Sequence, residues 1–183
     1  MSRRKLLAAT AAALVLAACS TTPMDPGAKR REIDAKVDNA LAELYRSEGT
    51  RQLVDRAEAV LVIPDIVSAG FIVGGSYGQG ALRQKNQTIG YYSVGAGSVG
   101  LLAGAQTRTM YLLFMTPQAL AKFQQSDGWT IGTDASVAVI QAGAGVRADT
   151  LNASNQVIAL VRDQTGFMAN LSLDGTKFNR LAL

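Results

Sequence analysis

The chain contains no histidine and a single cysteine among its 183 residues. These two shortages exclude a good deal of chemistry. Without histidine, no Ser-His-Asp or Cys-His nucleophilic site can be assembled, and a Cys/His zinc site is equally excluded. Cys19 has no second cysteine with which to close a disulfide. Carboxylates alone suffice for glycoside hydrolysis, yet the acids are sparse in the middle of the chain, with none between Asp65 and Asp127. The remaining acid pairs, Asp127 with Asp134 and Asp149 with Asp163, stand beside turns, where such side chains serve the backbone or the solvent. The expectation is therefore a non-enzymatic protein with no metal and no cofactor.

Long apolar runs are also missing, apart from one at the N-terminus. Ser2-Arg3-Arg4-Lys5 precedes Leu6 to Ala18, an uncharged stretch too short to span a bilayer but of the length of a signal-peptide core. It ends in Leu16-Ala17-Ala18-Cys19, which resembles the bacterial lipobox. The resemblance implies a signal peptide over residues 1–18, cleavage before Cys19, and acylation of Cys19 by palmitate-type chains. Residues 19–27 would form a lipidated tether. Ser20, where an Asp would retain the protein at the inner membrane, implies the outer membrane of a Gram-negative cell, facing the periplasm or the cell surface. Without Arg3, Arg4 and Lys5, Lys+Arg falls from 18 to 15 against 14 Asp+Glu, and the formal charge from +4 to +1. Nucleic-acid binding, which needs a clustered basic excess, is not expected.

Residues 28–183 are enough for one self-sufficient domain. Asp25-Pro26-Gly27 reads as a helix start, with Asp25 as N-cap and Pro26 in the first turn. Ile33, Val37, Ala40, Leu41 and Leu44 then recur at helical spacing between Ala28 and Arg46. A second helix is expected over Thr50 to Glu58, before a β-branched run that Pro64 stops. Thr116-Pro117 repeats the cap-plus-proline signal for a third, to Gln125. Glycine, valine and alanine dominate elsewhere. Strands are expected over Ser68–Leu82, Ile89–Thr107, Met110–Met115, Ser136–Arg147, Val157–Arg162 and Phe167–Leu173. Polar turns separate most of them, which favours an antiparallel arrangement. The expected fold is α+β: a strongly bent antiparallel sheet or barrel-like meander of short Gly-rich strands, with about three helices.

Gly95-Ala96-Gly97-Ser98-Val99-Gly100 matches G-x-G-x-x-G. A dinucleotide loop requires a helix after the glycines and an acid about 20 residues further on. Gly104 falls within the would-be helix and the acid is absent, so a dinucleotide site is not expected. The glycines have another use. Gly78/Gly80, Gly95/Gly97 and Gly143/Gly145 are spaced by two, so each pair lies on one face of its strand. Such strips permit close backbone approach inside a bent sheet, or floor a groove that accepts lipid.

Ala57 to Pro64, running into Ala69-Gly70-Phe71-Ile72-Val73-Gly74-Gly75-Ser76-Tyr77-Gly78-Gln79-Gly80-Ala81-Leu82, resembles the hallmark of the SYLF lipid-binding domain. The likeness continues through Gly90-Tyr91-Tyr92-Ser93, Gly128-Trp129, Asp134-Ala135-Ser136-Val137-Ala138-Val139 and Leu171-Ser172-Leu173-Asp174-Gly175-Thr176-Lys177. It implies a non-enzymatic domain that binds membrane lipids, phospholipids and anionic ones among them. In eukaryotic relatives a basic amphipathic helix assists, and some bind actin. On this chain the candidates for head-group contact are Lys29, Arg30, Arg31 and Lys36, at the start of the first helix. The aromatics Phe71, Tyr77, Tyr91, Tyr92 and Trp129 are candidates to line a pocket. The helix carries nearly as many acids as bases, unlike a surface-seeking helix. An alternative is a periplasmic module for an unidentified protein or polymer, with the acyl anchor as its only membrane contact.

Overall fold

The computed structural model describes residues 25–46, 48–70, 73–99, 104–141, 156–163, 173 and 175–183. Residues 1–18, Cys19, Phe71, the Gly143/Gly145 pair, Asp149 and most of the strand expected over Phe167–Leu173 lie outside the described residues.

Helix α1 spans Pro26–Leu44. The Asp25 carboxylate accepts the Ala28 N–H at 2.8 Å. It thereby satisfies one of the amides that a helix start leaves unpaired. Ile33, Val37 and Leu44 are buried along one stripe. Helix α2, Glu48–Arg56, buries Thr50, Leu53 and Val54. The Thr50 hydroxyl donates to the Leu44 carbonyl, tying the two helices end to end.

Strand β1, Ala59–Gly70, overturns the expected stop at Pro64. The strand runs straight through, although it is a central strand between β2, Val73–Gln84, and β4, Gly104–Phe114. A bulge makes this tolerable. Pairing with β2 jumps from Val62↔Ala81 to Val67↔Tyr77, and pairing with β4 from Ile63↔Met110 to Ile66↔Arg108. The ladder is thus interrupted where proline has no N–H to give. The Pro64 carbonyl instead accepts the Thr109 hydroxyl at 2.7 Å.

Two expected strands are each two. Ser68–Leu82 divides between β1 and β2. Ile89–Thr107 divides between β3, Gln87–Val99, and β4. The polar turn expected after Leu82 does join β2 to β3, with Lys85 and Asn86 at φ 48° and 64°. Two successive left-handed residues are what a tight hairpin requires. Helix α3, Pro117–Gln125, is capped as its sequence requires, Thr116 Oγ1 accepting the Ala119 N–H at 3.2 Å. Strands β5 (Trp129–Thr130), β6 (Ala138–Gln141), β7 (Val157–Asp163) and β8 (Lys177–Arg180) complete a sheet of order β5-β8-β3-β2-β1-β4-β7-β6. The fold is α+β, and the eight strands of the described residues curl into a half-barrel. All neighbours are antiparallel except β6 and β7, which run parallel and make the sheet mixed.

The sheet is buried on both faces near the hairpin end. Leu61, Ile63, Ile66, Leu82, Tyr92, Leu112, Phe114, Trp129 and Phe178 form the core inside the curl. Helix α3 closes it with Phe123, whose ring lies 4.7 Å from Phe114, 4.8 Å from Tyr92 and 5.4 Å from Trp129. Val60, Val62, Ala81, Tyr111, Leu113, Ile158 and Leu160 face the other way, beneath α1 and α2. Polar contacts fix α1 there. Arg83 pairs with Asp38 at 2.6 Å and with Asp34 at 3.3 Å. Thr88 and Tyr91 hydroxyls donate to Asp34, each at 2.8 Å. The Tyr111 hydroxyl donates to the Ala40 carbonyl at 2.9 Å.

Candidate functional site

The site is the place where α1 overhangs the glycine-rich end of β1 and β2. Antiparallel partners share a face, so Val67 and Ala69 of β1 stand with Tyr77 and Gly75 of β2, and these with Gly95 and Gly97 of β3. This is the face that α1 covers further along the strands, but here it is uncovered. Tyr77 is 56% exposed and Val67 49% exposed.

The glycine pairs divide by role. A Cβ on Gly80 would sit 1.8 Å from the Val62 carbonyl oxygen, and one on Gly78 would sit 2.8 Å from Ile63 Cγ2. These two glycines admit the β1 bulge, the close-approach use of such a strip. Nothing lies within 4 Å of the corresponding position on Gly97. Gly75 and Gly97, directly paired, therefore leave a bare patch of sheet with no packing demand behind it.

The groove so formed has a volume of about 480 Å³ and is lined by Lys29, Glu32, Ile33, Lys36, Asp65, Val67, Ala69, Gly75, Ser76, Tyr77, Gly78 and Gln79. That volume is within the roughly 300–1,000 Å³ range of ligand sites. Its floor is apolar and its helical wall is charged. Lys29 Nζ lies 3.1 Å from Glu32, Lys36 Nζ lies 3.3 Å from the other Glu32 oxygen, and Lys36 reaches Asp65 at 3.2 Å. The i, i+3 and i, i+4 spacings on α1 bring the first three together; the bulge brings in Asp65. Hydrogen bonds from Lys29, then Lys36, hold the Glu32 carboxyl below its ordinary range. Asp65, then Glu32, push the Lys36 ammonium above its own. Both shifts favour the charged forms of Glu32 and Lys36. On the floor, the Gln79 amide donates to the Tyr77 hydroxyl at 2.8 Å and steadies the ring. A second groove, of about 490 Å³, lies across Lys36 and Asp65; Asn39, Glu43, Thr109 and Arg162 make its lining far more polar.

The structure brings together Lys29, Lys36 and Tyr77 of the residues singled out in the sequence. Arg30 and Arg31 are exposed and do not line the groove. Tyr91 is half-buried under α1. Tyr92 and Trp129 are buried on the opposite side of the sheet, within the curl. The four described aromatics therefore do not share one pocket. Sequence reasoning overlooked Glu32, Asp65, Val67 and Gln79. Only Glu32 carried a signal, its spacing from both lysines. The Asp134 carboxylate accepts the Thr130 N–H at 2.7 Å. That is the turn-stabilising role common to such acids. Among the described residues no cluster of acids could hold a metal ion, and no helix is long and apolar enough to cross a membrane.

Among curated proteins, no significant match is found. Residues 95–181, by contrast, match the model of the family described as "Ysc84: Las17-binding protein actin regulator". That span covers β3 from Gly95 onward, β4, α3 and β5 to β8, and over it the chain is similar to the Ysc84 (SYLF) family.

Proposed function

We propose that the chain is a non-enzymatic lipid-binding domain of an envelope lipoprotein, held at the outer membrane through acylated Cys19 and facing the periplasm or the cell surface. One observation carries the reading: Lys29 and Lys36 stand beside an apolar strip of sheet on which Val67 and Tyr77 are left exposed. Amphipathic lysines bordering apolar surface suit a site where phosphate meets hydrocarbon. Exposed apolar groups beside a groove mark a binding face in preference to a solvated one. The tether delivers this end of the domain to the bilayer, because Cys19 lies only six residues before the α1 cap. The partner is a phospholipid membrane; no metal, cofactor or nucleic acid takes part.

The described fold begins at Asp25, so a chain started at Ser20 keeps every described element. Its co-sedimentation with phospholipid vesicles, with mass spectrometry of co-purified lipid, tests the proposal. Binding that Val67→Asp abolishes is the expected result. Binding abolished instead by replacing Arg30 and Arg31 with Ala would assign the contact to the outer face of α1. Neither vesicle binding nor a retained lipid would overturn the proposal and promote a second reading, a protein-interaction module. The family's description as Las17-binding favours that second reading, although actin regulation is not an envelope process.

A further inference from the structure

We infer that the groove selects zwitterionic phospholipid head groups over anionic ones, an inference that rests on the lipid-binding proposal and narrows it. The charges lining the groove are Lys29, Lys36, Glu32 and Asp65, two of each sign, and they form one connected run of contacts: Lys29 to Glu32, Glu32 to Lys36, Lys36 to Asp65. Lys36 is held by two carboxylates, and no lysine of the groove is without a carboxylate within 3.3 Å. A purely anionic head group entering here must displace Glu32 or Asp65 from a lysine and leave a carboxylate facing its own charge. Like charges so placed oppose binding, and they do so more strongly away from bulk water.

A zwitterion avoids that conflict. Its phosphate can take a lysine while its ammonium takes the carboxylate that the lysine releases, so every charge remains paired. The exposed Tyr77 ring, steadied by Gln79, adds a π face of the kind that attracts alkylammonium groups. Val67, Ala69 and the Gly75 patch then lie where the first part of an acyl chain would run. Arg30 and Arg31, the cations that could draw an anionic surface, do not line the groove.

The test uses the chain from Ser20 and two sets of vesicles, one of phosphatidylethanolamine with phosphatidylcholine, the other of phosphatidylglycerol, at low and high salt. The inference expects the neutral vesicles to be bound more tightly, with little loss in salt. Glu32→Gln combined with Asp65→Asn leaves both lysines without counter-charges at partly exposed positions where folding tolerates change. It is expected to move the preference toward phosphatidylglycerol by about five-fold, the scale of one partly exposed charge pair. Tyr77→Ala, which alters no charge, is expected to weaken binding to the neutral vesicles at least two-fold. Tighter, salt-sensitive binding of phosphatidylglycerol by the unaltered chain would overturn the inference while leaving lipid binding in place. So would a preference that the double variant does not move, or neutral-vesicle binding that Tyr77→Ala does not weaken. Binding to neither set would overturn both proposals.

Discussion

The two ends of strands β1 to β4 have the same backbone and opposite chemistry. At the hairpin end, residues 59–66, 80–84 and 109–114 carry side chains that are almost all buried, on both faces of the sheet. At the other end, β1 beyond Ile66 and β2 from Gly74 to Tyr77 carry Gly, Ser, Ala and two exposed large apolar residues, Val67 and Tyr77. The hydrogen-bonded ladder continues through both. Backbone pairing, joined by the Ser68–Ser76 hydroxyl bond at 2.8 Å, thus maintains the strands at the bare end, while packing specifies the other. The end that folds the protein and the end that offers a surface are separated along one set of strands.

The largest test of this contrast is a pair of aromatic truncations. Phe123 touches Tyr92, Phe114, Trp129 and Phe178 within the curl. Phe123→Ala should cost about 3–5 kcal/mol in urea unfolding. Tyr77→Ala should stay within about 0.5 kcal/mol, as an exposed residue does. Comparable losses would dissolve the distinction. Next comes a pair of glycine substitutions. Gly80→Ala drives a methyl into the Val62 carbonyl. Overpacking of that kind should cost about 3 kcal/mol. Gly97→Ala meets open space. Its stability should change by only about 0.5 kcal/mol or less. Smallest is Tyr111→Phe, which removes the bond to the Ala40 carbonyl. That loss should cost about 1 kcal/mol near neutrality, read from the unfolding midpoint.

Tyr111 also predicts how stability responds to alkali. Burial pushes its phenol up to about 12 from an ordinary 10.0, so the fold favours the neutral form. Its contribution is complete below pH 10 and is lost as the pH rises toward 12. The unaltered chain should lose stability across that interval more steeply than Tyr111→Phe, narrowing the gap between them. At the other end of the strands, Glu32 is held below its ordinary 4.5 and Lys36 above its ordinary 10.5. The Glu32 contribution is lost only as the pH falls through that lowered value, and the Lys36 contribution only as it rises through the raised one. Vesicle binding through the groove should therefore be flat between about pH 5 and 10.

What the sequence revealed follows the same division. The helices were legible because their signals are local: Asp25-Pro26 and Thr116-Pro117 cap as their chemistry requires. The strands were legible as a class, and the bent sheet with them. Their ends were not. The reversal after Gly70 lacks the polar turn chemistry that marks Lys85-Asn86, and where both faces are apolar no period-two alternation shows. Pro64 read as a terminator because only the tertiary pairing reveals a bulge. Strands β5 and β8, of two and four residues, are too short for any pattern. For the groove, Lys29, Lys36 and Tyr77 were legible as residue types, whereas Asp65 enters only through the bulge.

That bulge has an arithmetic consequence. Even-numbered residues Val60 and Val62 point toward the helices before it, and odd-numbered Val67 and Ala69 do so after it. Pro64 thus marks a change of parity in the chain. A strand with uniform alternation would turn Val67 into the curl and present Ser68 to α1 instead. Because β1 holds one residue more than either partner here, deleting Pro64 would make the alternation uniform and leave Val67 and Ala69 facing α1. A second inserted residue would instead exchange the lining of the groove for the interior of the half-barrel.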